Sequence, residues 1–154
     1  MSEDTDSTTH GTRFAYLLTL AGAIPFIAAA TVIVGGPAEY KLLAIQAMTT
    51  YSAVILSFLG GVQWGIGVSI NADAPRSAQS LFVLSIIPAL LAWTLLFVTQ
   101  PNSRVLVAIF LFGFVWVVDA LLCLQKLIPP WFFRLRCIVS AIVITSLVTV
   151  AVQI

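Results

Sequence analysis

The stretch LLAIQAMTTYSAVILSFLGGVQWGIGVSI, residues 42–70, contains no acidic or basic side chain. A helix needs about 20 consecutive apolar residues to cross a hydrocarbon core about 30 Å thick, and this run is longer than that. Its apolar residues do not alternate with polar ones, as the strands of a membrane barrel do. The stretch therefore reads as a transmembrane helix whose first turns, with Gln46, Thr49 and Thr50, lie near the headgroups.

Similar runs lie on both sides. Residues 14–34 precede it, ended by Gly35-Gly36-Pro37 and a wet loop with Glu39 and Lys41. Beyond Asp73 and Pro75 comes 77–99, ended by Gln100-Pro101-Asn102. Residues 104–124 follow with a single charge, Asp119, then the Pro129-Pro130 turn and a last run over 137–154. These ranges predict an all-α fold, a polytopic bundle of five transmembrane helices. Composition agrees: of 154 residues 60% are hydrophobic and 8% charged, against about 25% charged in soluble domains. So short a chain has too little interior to hide that much apolar surface, so lipid must be its solvent. A net charge of +1 gives no pull toward nucleic acid. Residues 1–13 are polar, with Glu3, Asp4 and Asp6, and lack the basic start of a secretory signal. They read as a disordered tail before an uncleaved first helix.

Lys and Arg in short loops set orientation. The side holding the N-terminus has Arg13, Arg76, Lys126, Arg134 and Arg136; the other has Lys41 and Arg104. The expectation is an N-terminus inside and a C-terminus outside.

The second span carries a ladder of small residues, Ala53, Ser57, Gly61, Gly65 and Ser69, each four apart and so stacked along one stripe. Small residues let helix backbones approach closely in a membrane, so the ladder is expected to pack inside the bundle, with a homodimer contact as the alternative. A second stripe holds Thr49, Ser52, Gly60, Gln63 and Gly67. Pro25 and Pro88 each remove a backbone hydrogen bond and are expected to kink their helices. An echo between the first and second hairpins, Phe58-Leu59-x-Gly61-x-x-Trp64 against Phe110-Leu111-x-Gly113-x-x-Trp116, fits either a parallel repeat or chance among apolar residues.

Asp119 is the most informative residue. A carboxylate near a helix centre costs about 2.5–3.5 kcal/mol on insertion scales. Asp119 lies about 10 Å from the Lys126 end at 1.5 Å rise per residue, so it has to be neutralised, hydrated or paired. Arg134 and Arg136 approach from the same side of the bilayer, and a buried ion pair is the expected arrangement; a proton or ion pathway is the alternative. One carboxylate without further ionisable groups makes a poor relay. Lys126, Trp131, Arg134 and Arg136 together form a basic, aromatic interface suited to an anionic lipid headgroup or to topological anchoring.

Nothing in the chain pairs a nucleophile with a base or cradles a phosphate. The single histidine, His10, sits in the polar tail, and Cys123 and Cys137 lack metal-ligand spacing. No metal, cofactor or catalytic residue is therefore expected.

With these residues assembled, the chain resembles the family of bacterial and mitochondrial membrane proteins known as domain of unknown function 3429. The resemblance runs from about Phe14 to Val148. It is carried by Leu20-Ala21-Gly22-Ala23-Ile24-Pro25-Phe26, by the long stretch from Tyr51 to Gly65, by Pro88 with Trp93, by Asp119, and by Pro130-Trp131 with Leu135-Arg136. It implies a multi-pass protein of a bacterial or mitochondrial inner membrane and supplies no activity. The function expected is that of a non-enzymatic scaffold, accessory or assembly factor. Its partners would be the bilayer, an anionic lipid, and another membrane protein or a second copy. The alternative is a small transporter or channel using Asp119.

Overall fold

Proline opens most of the helices. In a computed structural model, which describes residues 3–154 with side-chain surroundings from Gly11 onward, the elements are α1 (Glu3–Ala21), α2 (Ile24–Gly35), α3 (Ala38–Ile70), α4 (Pro75–Leu95), α5 (Pro101–Leu124) and α6 (Pro130–Gln153). Pro25, Pro75, Pro101 and Pro130 each sit at the first or second helical position. There the missing N–H costs nothing and the fixed φ suits a helix. Starts expected at 77, 104 and 137 accordingly lie earlier, since these prolines begin helices instead of merely separating them.

Among the described residues five segments are long and apolar enough to cross a membrane: Gly11–Gly35, which joins α1 to α2, then α3, α4, α5 and α6. The tail expected to be disordered is helical from Glu3, because extending an existing helix adds a hydrogen bond for each residue fixed; Met1 and Ser2 lie outside the described residues. Helix α3 is central, packing on α2, α4 and α5, and α6 closes the bundle against α5 and α2. The hairpin α3–α4 is far more tightly joined than α2–α3.

Two turns are fixed in ways the sequence does not advertise. Lys126 has φ 58°, a left-handed conformation that usually falls to glycine. It ends α5 in a Schellman motif: Leu127 N–H donates to Leu122 O (2.9 Å) and Lys126 N–H to Cys123 O (3.0 Å). Leu122 and Leu127 belong to one apolar cluster there. At the other face, Arg104 donates from Nη2 to Leu96 O (3.1 Å) and from Nε to Val98 O. A cation there satisfies carbonyls past the end of α4.

Candidate functional site

The two mid-helix prolines behave differently. Pro88 stays inside an unbroken α4, whereas Pro25 coincides with a break between α1 and α2. Pro25 has no N–H to offer Ala21, and Phe26 N–H turns to Ala23 O (3.1 Å), leaving Gly22 O to accept from the Tyr51 hydroxyl (3.1 Å). Phe26 packs on Tyr51 and edge-on against Phe112, with ring centroids 5.3 and 5.7 Å away. The break is thus pinned to α3 and α5. Below it α1 has few contacts, chiefly with α6 among the described residues, among them Tyr16 Oη donating to Trp131 O (3.2 Å).

A cleft of about 460 Å³ results, bounded by α1, α2, α3, α5 and α6. Its walls are largely apolar, with Gly22, Phe26, Phe58, Val62 and Val143 among them. Polar groups come from Thr19, Tyr51, Arg136 and Ser140. Arg136 and Ser140 are four apart on α6 and so lie on one stripe.

Arg136 is paired. Its Nε–H donates to Asp119 Oδ2 at 2.7 Å, with the two residues 5% and 4% exposed. The ion pair joins α5 to α6, beside Trp116, whose indole N–H donates to Cys137 Sγ (3.4 Å) and whose ring lies 6.3 Å from that of Phe133. Arg134 is exposed and takes no part in the pair. Lys126, Trp131 and Arg134 lie exposed at this end of the bundle, while Arg136 is withdrawn from that surface into the pair. Cys123 and Cys137 are free thiols. Among the described residues no cluster of His, Cys, Asp and Glu could hold a metal ion.

The ladder on α3 is where the structure departs from expectation. Ala53 is buried, but Ser57, Gly61, Gly65 and Ser69 are exposed, and a Cβ added at Gly61 or Gly65 would meet nothing within 4 Å. The second stripe does the packing instead. Gly60 lies against the Ser85 carbonyl, and a Cβ at Gly67 would come within 2.9 Å of the Phe82 ring. The reason is that α3 presents small residues on two stripes, and α4 fills only one. Gln63, on the buried stripe, is 1% exposed, and neither its Oε1 nor its Nε2 has a hydrogen-bond partner among the described residues. Thr49 and Ser52 satisfy themselves on Ile45 O (2.9 Å) and Met48 O (2.8 Å).

Sequence reasoning missed the cleft and the break. Gly22 three residues before Pro25 was the available signal, since proline removes a helical hydrogen bond and glycine frees the backbone beside it.

Among the described residues, a broken first span, four further helices able to span a membrane and one buried ion pair define a polytopic α-helical membrane protein. The chain belongs to a family described as "Protein of unknown function (DUF3429)", whose model matches residues 12–152. It is similar to transmembrane protein 69 of Xenopus tropicalis, 38% identical over 135 residues that make up 87% of this chain and 52% of that protein. Transmembrane protein 69 of Mus musculus is 29% identical over 134 residues, 87% of this chain and 54% of the mouse protein. The chain thus spans about half the length of these relatives. No solved structure matches it significantly.

Proposed function

We propose that this protein is a non-enzymatic accessory or assembly component of a membrane complex, seated in a bacterial or mitochondrial inner membrane with its N-terminus inside. The observation that carries this reading is the outward-facing ladder of Ser57, Gly61, Gly65 and Ser69. Within the bundle nothing fills it, yet a helix can approach another backbone closely along such a stripe, gaining van der Waals contact that bulky residues would forbid. Trp64, 47% exposed, lies beside the ladder and is braced by Phe82 at 4.8 Å between centroids, so one flank of the groove is stiff. The occupant proposed is a helix of a different membrane protein. The alternative, transport through Asp119, has less support, because the carboxylate is committed to Arg136.

The test is isolation of the tagged chain from its native membrane in mild detergent, with Gly61→Leu beside the natural sequence. A stoichiometric membrane partner, lost in Gly61→Leu while the bundle's own melting is unchanged, is the expected result. Retention of the same partner by Gly61→Leu, or recovery of the chain only as a multiple of itself, would contradict the proposal.

A further inference from the structure

We propose that the cleft behind the broken first span binds an uncharged, single-tailed lipid whose polar end offers carbonyl acceptors to Arg136 and Ser140. This stands apart from the docking of a partner on the α3 ladder, and either can fail without the other.

Four observations converge on it. The cleft has about 460 Å³, within the range of small-molecule sites, which are mostly apolar with a few polar groups that orient the ligand. Its wall includes the interrupted backbone at Gly22 and Ala23, and irregular backbone at membrane depth is tolerated where it is buried or lines a cavity. Its polar end is built, not incidental. Arg136 is nine-tenths buried and lines the cleft, and a guanidinium has five N–H donors, of which one is hydrogen-bonded, to Asp119. Ser140, 3% exposed, adds a hydroxyl one helical turn further along the same wall.

Charge selects the head. Asp119 already balances Arg136, so the pair is formally neutral. A phosphate or carboxylate brought in beside it would place an uncompensated charge in a low-dielectric setting. A carbonyl accepts from the remaining N–H groups without that penalty. The tail then lies along Phe58, Val62 and Val143, apolar side chains of α3 and α6. Carbonyl acceptors of this kind belong to acyl esters and to quinones, and the structure fits both.

The experiment places the full chain in phosphatidylcholine vesicles with three probes sharing one diazirine-bearing tail: a monoacylglycerol, a quinone and a lysophosphatidic acid. Label is mapped by peptide mass spectrometry. Labelling of the cleft-lining segments by a neutral probe, above that of the outward face around Val83, supports the proposal, and the stronger of the two neutral probes identifies the source. Ser140→Ala should weaken that labelling by about 2- to 10-fold, the effect of one lost hydrogen bond, and Val62→Phe, which narrows the cleft from α3 and leaves both members of the ion pair in the sequence, should remove it. Strongest labelling by the anionic probe, labelling indifferent to Val62→Phe, or a cleft labelled no more than the Val83 face would each overturn it.

Discussion

Removing one member of the Asp119–Arg136 pair should damage the protein far more than removing both. The pair is 2.7 Å apart, and both residues are at least nine-tenths buried. At an effective dielectric of about 20, two unit charges at this distance attract by about 6 kcal/mol, partly offset by the desolvation both groups suffer. Deleting the cation leaves a buried carboxylate alone, and breaking such pairs costs about 3–5 kcal/mol. Arg136→Met should therefore destabilise by about that amount. Asp119→Asn, which keeps an acceptor for Nε–H, should cost less. The double variant Asp119→Leu with Arg136→Met replaces both charges by apolar groups, and such exchanges are often neutral or favourable. The cycle closes with Asp119→Leu alone: unfolding of the natural chain, Asp119→Leu, Arg136→Met and the double variant in mixed micelles gives the coupling energy. The expected coupling is about 3 kcal/mol or more. A double variant as unstable as the sum of its singles would refute the idea that the pair, and not two independent contacts, holds α5 to α6.

The two glycines 60 and 61 should respond oppositely: Gly60→Ala drives a Cβ into the Ser85 carbonyl and should cost about 1–3 kcal/mol as overpacking, whereas Gly61→Ala should leave the melting of the isolated chain unchanged. Equal effects would mean that α4 does not sit where described. Gln63→Leu should stabilise the isolated chain by about 1–3 kcal/mol, because it removes buried polar atoms without partners; destabilisation in the same unfolding assay would show that the amide is satisfied. Reporter fusions should place the N-terminus inside and the C-terminus outside, from the unequal split of Lys and Arg between the two sides. Both ends on one side would rule out five crossings.

The spans were legible because a charge-free run longer than the bilayer has one physical solution. The ion pair was legible in outline, since a carboxylate in an apolar layer needs a partner and two arginines enter from the same side. Which arginine serves was not, because Arg134 and Arg136 differ only in the helical face they occupy, and that depends on α6 starting at Pro130 and not at Cys137. The ladder misled for a related reason. Both stripes of α3 are rich in small residues, and composition alone does not say which one meets α4. Pro25 and Pro88 look alike in sequence; the break at the first depends on Gly22 and on Tyr51, which is far along the chain and supplies the missing donor. Lys126 carried no signal, since lysine is rarely found where the chain needs positive φ.

On the proposed function another membrane protein covers the α3 ladder. The most direct measurement places a photo-crosslinking residue at position 61, at 65, and at Val83, which is 65% exposed on α4, in the native membrane. One discrete adduct with the same foreign membrane protein from positions 61 and 65, and none from 83, is the expected result. Identical patterns from all three positions, or adducts of this chain with itself alone, would contradict it.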